Sequence, residues 1–144
     1  MDPIRFEIPG EPVPQPRARF TARSGIPRAY TKRGHPITPY RAAIEQLVRA
    51  IGPGAISGPI VFFVEAIFAR PKSHWTKSGL ASGAPEFPGK GCGDWDNLGK
   101  GVADAITKAA TIWHDDTQVV DGRVVKRYAS RLEQARTVVV IRSA

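Results

Sequence analysis

GDWDNLGKGVADAITKAATIWHDD, residues 93–116, brings Asp94, Asp96, Asp104, Asp115, Asp116 and Lys100 into one short stretch. On a helix from Asp96 to Ala109, Asp96, Lys100 and Asp104 fall on one face, because residues four apart are neighbours. Leu98, Val102, Ala105, Ile106 and Ala109 gather on roughly the opposite face, the pattern of an amphipathic helix laid on a core. Asp94 or Asp96 is a suitable N-cap. Gly99 and Gly101 cost such a helix up to about 1 kcal/mol each relative to alanine, so small residues there suit the close approach of a ligand backbone.

Working outward, the elements on either side follow from their patterns. Upstream, Pro59–Ala69 (PIVFFVEAIFA) predicts a central strand covered on both faces, with Glu65 the exception. That carboxylate points either to an active site or to a solvated face. Further upstream, Ile4, Phe6 and Ile8 alternate as in a strand ended by Pro9 and Gly10. Residues 39–51 predict a helix with Pro39 near its start, stopped by Gly52-Pro53-Gly54. Arg70 to Cys92 reads as a long loop in which Trp75 serves as an anchor or a base-stacking residue. Downstream, Asp121-Gly122 predicts a hairpin turn between Gln118–Val120 and Arg123–Tyr128, and Thr137–Ile141 a final strand. The order gives an α+β class: a single domain spanning 1–144, with two main helices on a mixed sheet.

The composition bears on partners. A net charge of +8 and a pI near 10.2 favour a polyanion, and nucleic acid above others. Between Pro12 and Ile44 the chain carries Arg17, Arg19, Arg23, Arg28, Lys32, Arg33 and Arg41 and no acidic residue. Phe20 and Tyr30 are interleaved, so the run is suited to following phosphates while its aromatics stack on exposed bases. A solvated loop accounts for any one of these residues; the run as a whole points to a nucleic-acid surface. Lys72, Lys77 and Lys90 extend the basic surface. The apolar runs are too short to span a membrane, and the first ten residues lack the apolar centre of a signal peptide. A lone cysteine, Cys92, excludes an internal disulfide and a cysteine-rich zinc site. A cytoplasmic location is expected.

Capping and i,i+4 ion pairing account for Asp96, Lys100 and Asp104, but not for Asp94, Asp115 and Asp116. Converging carboxylates repel, by about 4 kcal/mol per pair at 4 Å and an effective dielectric of 20, so they need cations. Oxygen donors without cysteine select a hard ion, Mg2+ or Mn2+. Such ions bind phosphate oxygens and generate hydroxide, and Lys100 stabilises charge on the phosphate or positions water. This is the chemistry of a metal-dependent nuclease. The P-loop alternative fails: it needs four residues between its glycines and Ser or Thr after the lysine, whereas five separate Gly93 from Gly99 and Gly101 follows Lys100. His114 is a general base or ligand, or else a surface or capping residue, on this reading, and Cys92 has no clear histidine partner that would make it a nucleophile.

Asp94-x-Asp96-Asn97-x-x-Lys100, then Asp104-Ala105, then Trp113-x-Asp115-Asp116-x-Gln118-Val119 resembles the RusA family of Holliday junction resolvases, many of them phage-borne. Gly10-x-Pro12-x-Pro14-x-x-Arg17-x-Arg19 suits the same family, and the likeness spans nearly the whole chain. Gly93 stands where members often carry a basic residue or proline. The resemblance implies a bacterial or phage-encoded homodimeric endonuclease, dependent on Mg2+ or Mn2+, that resolves four-way DNA junctions by paired cuts in recombination and repair. It implies metal ligation by Asp94, Asp96 and Asp116, with Asp104 and Asp115 further acidic candidates, and catalytic assistance by Lys100. Arg17, Arg19, Arg23, Lys32, Arg33 and Lys72 are the expected DNA contacts. The alternatives are a non-catalytic basic nucleic-acid-binding module, or a nuclease of other branched DNA or of RNA.

Overall fold

The computed structural model describes residues 2–52 and 54–144, so the expected helix stop at Pro53 lies outside the described residues. The main sheet is built from β1 (Ile4–Pro9), β4 (Ile60–Phe68), β7 (Val119–Tyr128) and β8 (Arg136–Ser143), in the order β1-β8-β4-β7. β8 runs antiparallel to both β1 and β4, whereas β4 and β7 are parallel. Parallel neighbours need a crossover between them. That crossover contains helix α2 (Trp95–Ala109), which packs against helix α1 (Ile37–Ile51) and against β7. The mixed sheet with two helices is the α+β arrangement expected from the sequence.

The core lies between the sheet and these helices. Ile44 and Val48 of α1 meet Val102, Ala105 and Ile106 of α2 over Phe62, Val64, Val139 and Ile141. Trp113, fully buried, stands edge-on to Phe62 at 5.3 Å between ring centres and donates its indole N–H to Thr107 Oγ1 at 2.8 Å. Truncating it to alanine is expected to cost about 3–5 kcal/mol. Tyr40 of α1 hydrogen-bonds Thr137 of β8 at 2.8 Å, and burial pushes its phenol pKa up.

Three expectations change. β4 is central, but only one of its faces is covered along its length: Ile60, Phe62, Val64 and Ala66 are buried, while on the other Val61, Phe63 and Glu65 are half-buried and Ile67, at the strand's end, is buried against Ala129 and Val138. Glu65 therefore faces away from the helices, 3.3 Å from Arg127 Nε. Asp121-Gly122 makes no hairpin. β7 passes straight through it, with Val119 opposite Ile60 and Asp121 opposite Val61, leaving Val120 as an unpaired bulge. Pairing with β4 along its whole length outweighs the local turn preference. Finally, the basic segment is not only loop: β2 (Arg19–Thr21) and β3 (Arg28–Tyr30) pair as a hairpin, with Arg19 opposite Tyr30. The later loop similarly folds β5 (Trp75–Thr76) onto β6 (Gly79–Leu80), and Trp75 anchors it under the Arg131 guanidinium, 5.6 Å from the ring centre.

Candidate active site

The site forms where α2 begins. Asp94 is the N-cap residue, extended at φ −79° and ψ 147°, but its side chain makes no capping hydrogen bond. Its carboxylate is thus not committed to holding the helix. The residue before it, Gly93, has φ +90°, and a Cβ built there would meet Pro14 Cβ and Cγ at 2.6 Å. Only glycine fits both constraints. The Pro14 segment is held by Gln15, whose N–H donates to Asn97 O at 2.9 Å. On the other side, Lys126 of β7 donates to Gly93 O at 3.1 Å.

Asp96 and Lys100 point along α2 into a groove of about 260 Å³ between that helix and the edge strand β7. Asp116 lines the same groove, as do Trp95, Gly99 and Arg123. Gly99 is needed for the close approach of α2 to the sheet: a Cβ there would come within 2.7 Å of Val124 Cγ2. Arg123 is largely exposed, and its nearest carboxylate is Asp121 at 3.5 Å.

The remaining acidic candidates are engaged elsewhere. Asp104 accepts from Arg41 Nη2 at 2.8 Å and pairs with Lys100 at 3.6 Å, joining the two helices. Asp115 caps the single helical turn Asp116–Gln118: its Oδ1 accepts the Thr117 N–H at 2.8 Å, and the Gln118 side chain returns to the Asp115 N–H. The Thr117 N–H also holds the Asp115 carboxyl below its ordinary pKa. The Gln118 amide continues to Ile56 O and Gly58 O, fixing this turn to the chain before β4. His114 is exposed, and its backbone N–H, not its ring, bonds the Gln118 amide. Cys92 is half-buried, which pushes its thiol pKa up, the opposite of an activated nucleophile.

The donor chemistry of the groove suits a hard divalent cation: carboxylate oxygens on its walls, no thiolate and no imidazole. Among the described residues, no three acidic, histidine or cysteine side chains converge tightly enough to cage an ion. Two carboxylates sharing one groove are enough for an ion of the Mg2+ type, which keeps several waters and takes its other ligands from phosphate.

A second cleft, of about 410 Å³, adjoins the first through Lys100. It lies under the β2–β3 hairpin and is lined by Arg17, Tyr30 and Asn97 among others. Arg19 and Lys32 line a further cleft beside it, and Arg23 another at the hairpin's end. Five of the basic residues expected from sequence to touch DNA are thus in one region, with four lining clefts and Arg33 exposed in the turn after the hairpin. Lys72 is set apart, in the exposed turn Lys72–His74. Arg123 and Lys126 were not expected. The false hairpin at Asp121-Gly122 hid them; alternation along one longer strand puts Lys126 on one face with Gly122 and Val124, and Arg123 on the other with Asp121.

Among the described residues no helix is long and apolar enough to cross a membrane. The family model for Endodeoxyribonuclease RusA matches residues 9–142. The chain is also similar to a Bacillus subtilis (strain 168) protein designated "Uncharacterized protein YqaN", 33% identical over 147 residues that cover 99% of this chain and 97% of that protein. With its carboxylate groove, basic hairpin and mixed sheet carried on a match that runs nearly end to end, the chain belongs to the RusA endodeoxyribonuclease family.

Proposed function

We propose that this protein is a structure-selective DNA endonuclease that resolves four-way junctions by paired phosphodiester hydrolysis in recombination and repair, acting with Mg2+ or Mn2+ as a homodimer in the cytoplasm of a bacterium or phage host. The observation that carries the reading is a single groove holding Asp96, Asp116 and Lys100, opening onto a cationic cleft. Asp96 and Asp116, which share the groove, would hold the ion, with Asp94 at the start of α2 as the third expected ligand; when bound the ion supplies Lewis-acid polarisation of the phosphate and an acidified water.

The chain's own groups do the rest. Lys100, 60% exposed, offers its ammonium to the scissile phosphate while Asp104 limits where it can swing. Arg123 lines the strand side of the same groove. Arg17, Arg19, Arg23, Lys32 and Arg33 hold the backbone of the DNA arms, a contact that positions the substrate without reading its sequence. A four-way junction has two strands related by two-fold symmetry, so two symmetric cuts call for two related sites. The uncovered face of the sheet, with Val61 and Phe63 half-exposed on it, is a surface on which two copies could meet.

The test is cleavage of a labelled four-way junction beside linear duplex of the same sequence, in Mg2+, Mn2+ or EDTA. Paired nicks confined to the junction and dependent on metal are expected. Binding without cutting in every metal would overturn the reading in favour of a non-catalytic DNA-binding module.

A further inference from the structure

The clefts around the β2–β3 hairpin share lining residues. The first, about 410 Å³, shares Lys100 with the carboxylate groove and holds Arg17 and Tyr30. The second, about 170 Å³, shares Arg17 and Tyr30 with the first and adds Arg19 and Lys32. The third, about 300 Å³, shares Tyr30 again and adds Arg23. Tyr30 therefore lines all three, at 46% exposure. Its hairpin partner is Arg19, which places ring and guanidinium side by side on one face of the ladder. Among the described residues, none that lines these three clefts is acidic.

A half-exposed ring inside a cationic channel suits an unpaired base. Duplex DNA keeps the flat faces of its bases stacked on one another, and offers a protein only their edges and the backbone. A single strand presents those faces, and proteins hold it by combining a positive groove with aromatic platforms. Lys100, common to both linings, puts the groove of Asp96 and Asp116 next to this cleft.

We propose that the β2–β3 hairpin covers a channel for single-stranded DNA that leads to the carboxylate groove, with Tyr30 stacking on an unpaired base. This deepens the nuclease reading and rests on it for the role of the strand's far end. The substrate class follows: branched DNA with an unpaired segment next to the cut, whether opened at a junction's centre or present as a single-stranded arm.

The test uses the full chain in EDTA and a labelled oligothymidine of about 12 nucleotides carrying one 2-aminopurine, a length within the usual site sizes for single strands. The wild-type protein is expected to bind it and quench the 2-aminopurine by stacking. Tyr30→Ala is expected to weaken binding on the order of tenfold and abolish the quench, and Tyr30→Phe, which keeps the ring, to retain both. No quench by the wild type, or an undiminished quench by Tyr30→Ala, overturns the channel. The nuclease reading is judged separately with the four-way junction. Normal cleavage together with an undiminished quench by Tyr30→Ala sinks the channel alone. A ring-dependent quench in a protein that cuts no junction supports the channel and sinks the nuclease reading alone.

Discussion

Lys126 Nζ donates to the carbonyl oxygen of Gly93 across 3.1 Å, tying the edge strand β7 to the residue that precedes Asp94. The bond fixes the entry into α2. Lys126→Met is expected to slow junction cleavage by about tenfold, the scale of removing one positioning interaction, with a smaller effect on junction binding. Lys126→Arg should recover part of the rate. Equal cleavage rates in wild type and Lys126→Met would remove Lys126 from the site.

Gly93→Ala meets two obstacles, a φ of +90° and Pro14 carbons at 2.6 Å from the new Cβ. A loss of roughly 2 kcal/mol is expected, or about 4–8 °C in Tm for a chain of this size. Gly91→Ala is the comparison, because nothing lies within 4 Å of its Cβ position and its φ is not positive. Thermal melting of the two variants separates strain from a general sensitivity of this segment.

The adjacent pair Asp115 and Asp116 should respond differently. Asp116 lines the groove, whereas Asp115 accepts the Thr117 N–H. Asp116→Asn is expected to lower the cleavage rate by at least about a hundredfold while leaving junction binding in place. Asp115→Asn keeps an oxygen that can accept the same hydrogen bond, so cleavage should continue. The reverse pattern in a junction assay would exchange their roles.

Across the uncovered face of the sheet, Arg127 holds both oxygens of Glu133 at 2.6 Å and Glu65 at 3.3 Å. Arg136 connects Glu133 to Glu7. The Arg127 guanidinium holds the Glu133 carboxyl well below the usual range, helped by the Ser130 N–H. A folded pKa lower than the unfolded one stabilises the fold above the ordinary glutamate value and ceases to do so as pH falls through the lowered value. Glu133→Gln should therefore lower Tm near neutral pH, by roughly 2–4 °C if the bidentate pair is worth about 1 kcal/mol. The gap between variant and wild type should narrow steadily as the solution is acidified below the glutamate range. A gap that is constant with pH would contradict this origin.

Replacing Arg17 and Arg19 together by alanine should weaken junction binding and reduce the slope of log affinity against log salt by about two, one for each phosphate no longer neutralised. An unchanged slope would place the DNA on another surface.

The covered half of this fold was legible in the sequence, because α2 and β1 carry an apolar pattern of the right period and β4 and β8 are short, strongly apolar runs. Asp96, Lys100 and Asp104 could be placed on one helix face for the same reason. Which carboxylates are free could not be read. Asp104 is claimed by Arg41, sixty-three residues earlier in the chain, and Asp115 by a turn whose glutamine also holds the Ile56 and Gly58 carbonyls. Those partners are set by tertiary structure. The false turn at Asp121-Gly122 has a similar cause: the bulge at Val120 puts Val119 and Gly122, three apart, next to each other, with 3.5 Å between Val119 Cγ1 and a Cβ built on Gly122. The Asp-Gly dipeptide signals a turn locally, and only the pairing with β4 overrules it.

β7 closes one side of the sheet and uses only one of its two rows of backbone amides and carbonyls. A straight strand in that position would accept any other extended segment, including the same strand of another molecule, and sheets that grow this way end as aggregates. The unpaired Val120 bends the start of that row, and Arg123 and Lys126 place charge along it. Deleting Val120 would restore an unbroken ladder with β4, an apparent repair, and at the same time would straighten an open edge on which further copies could polymerise.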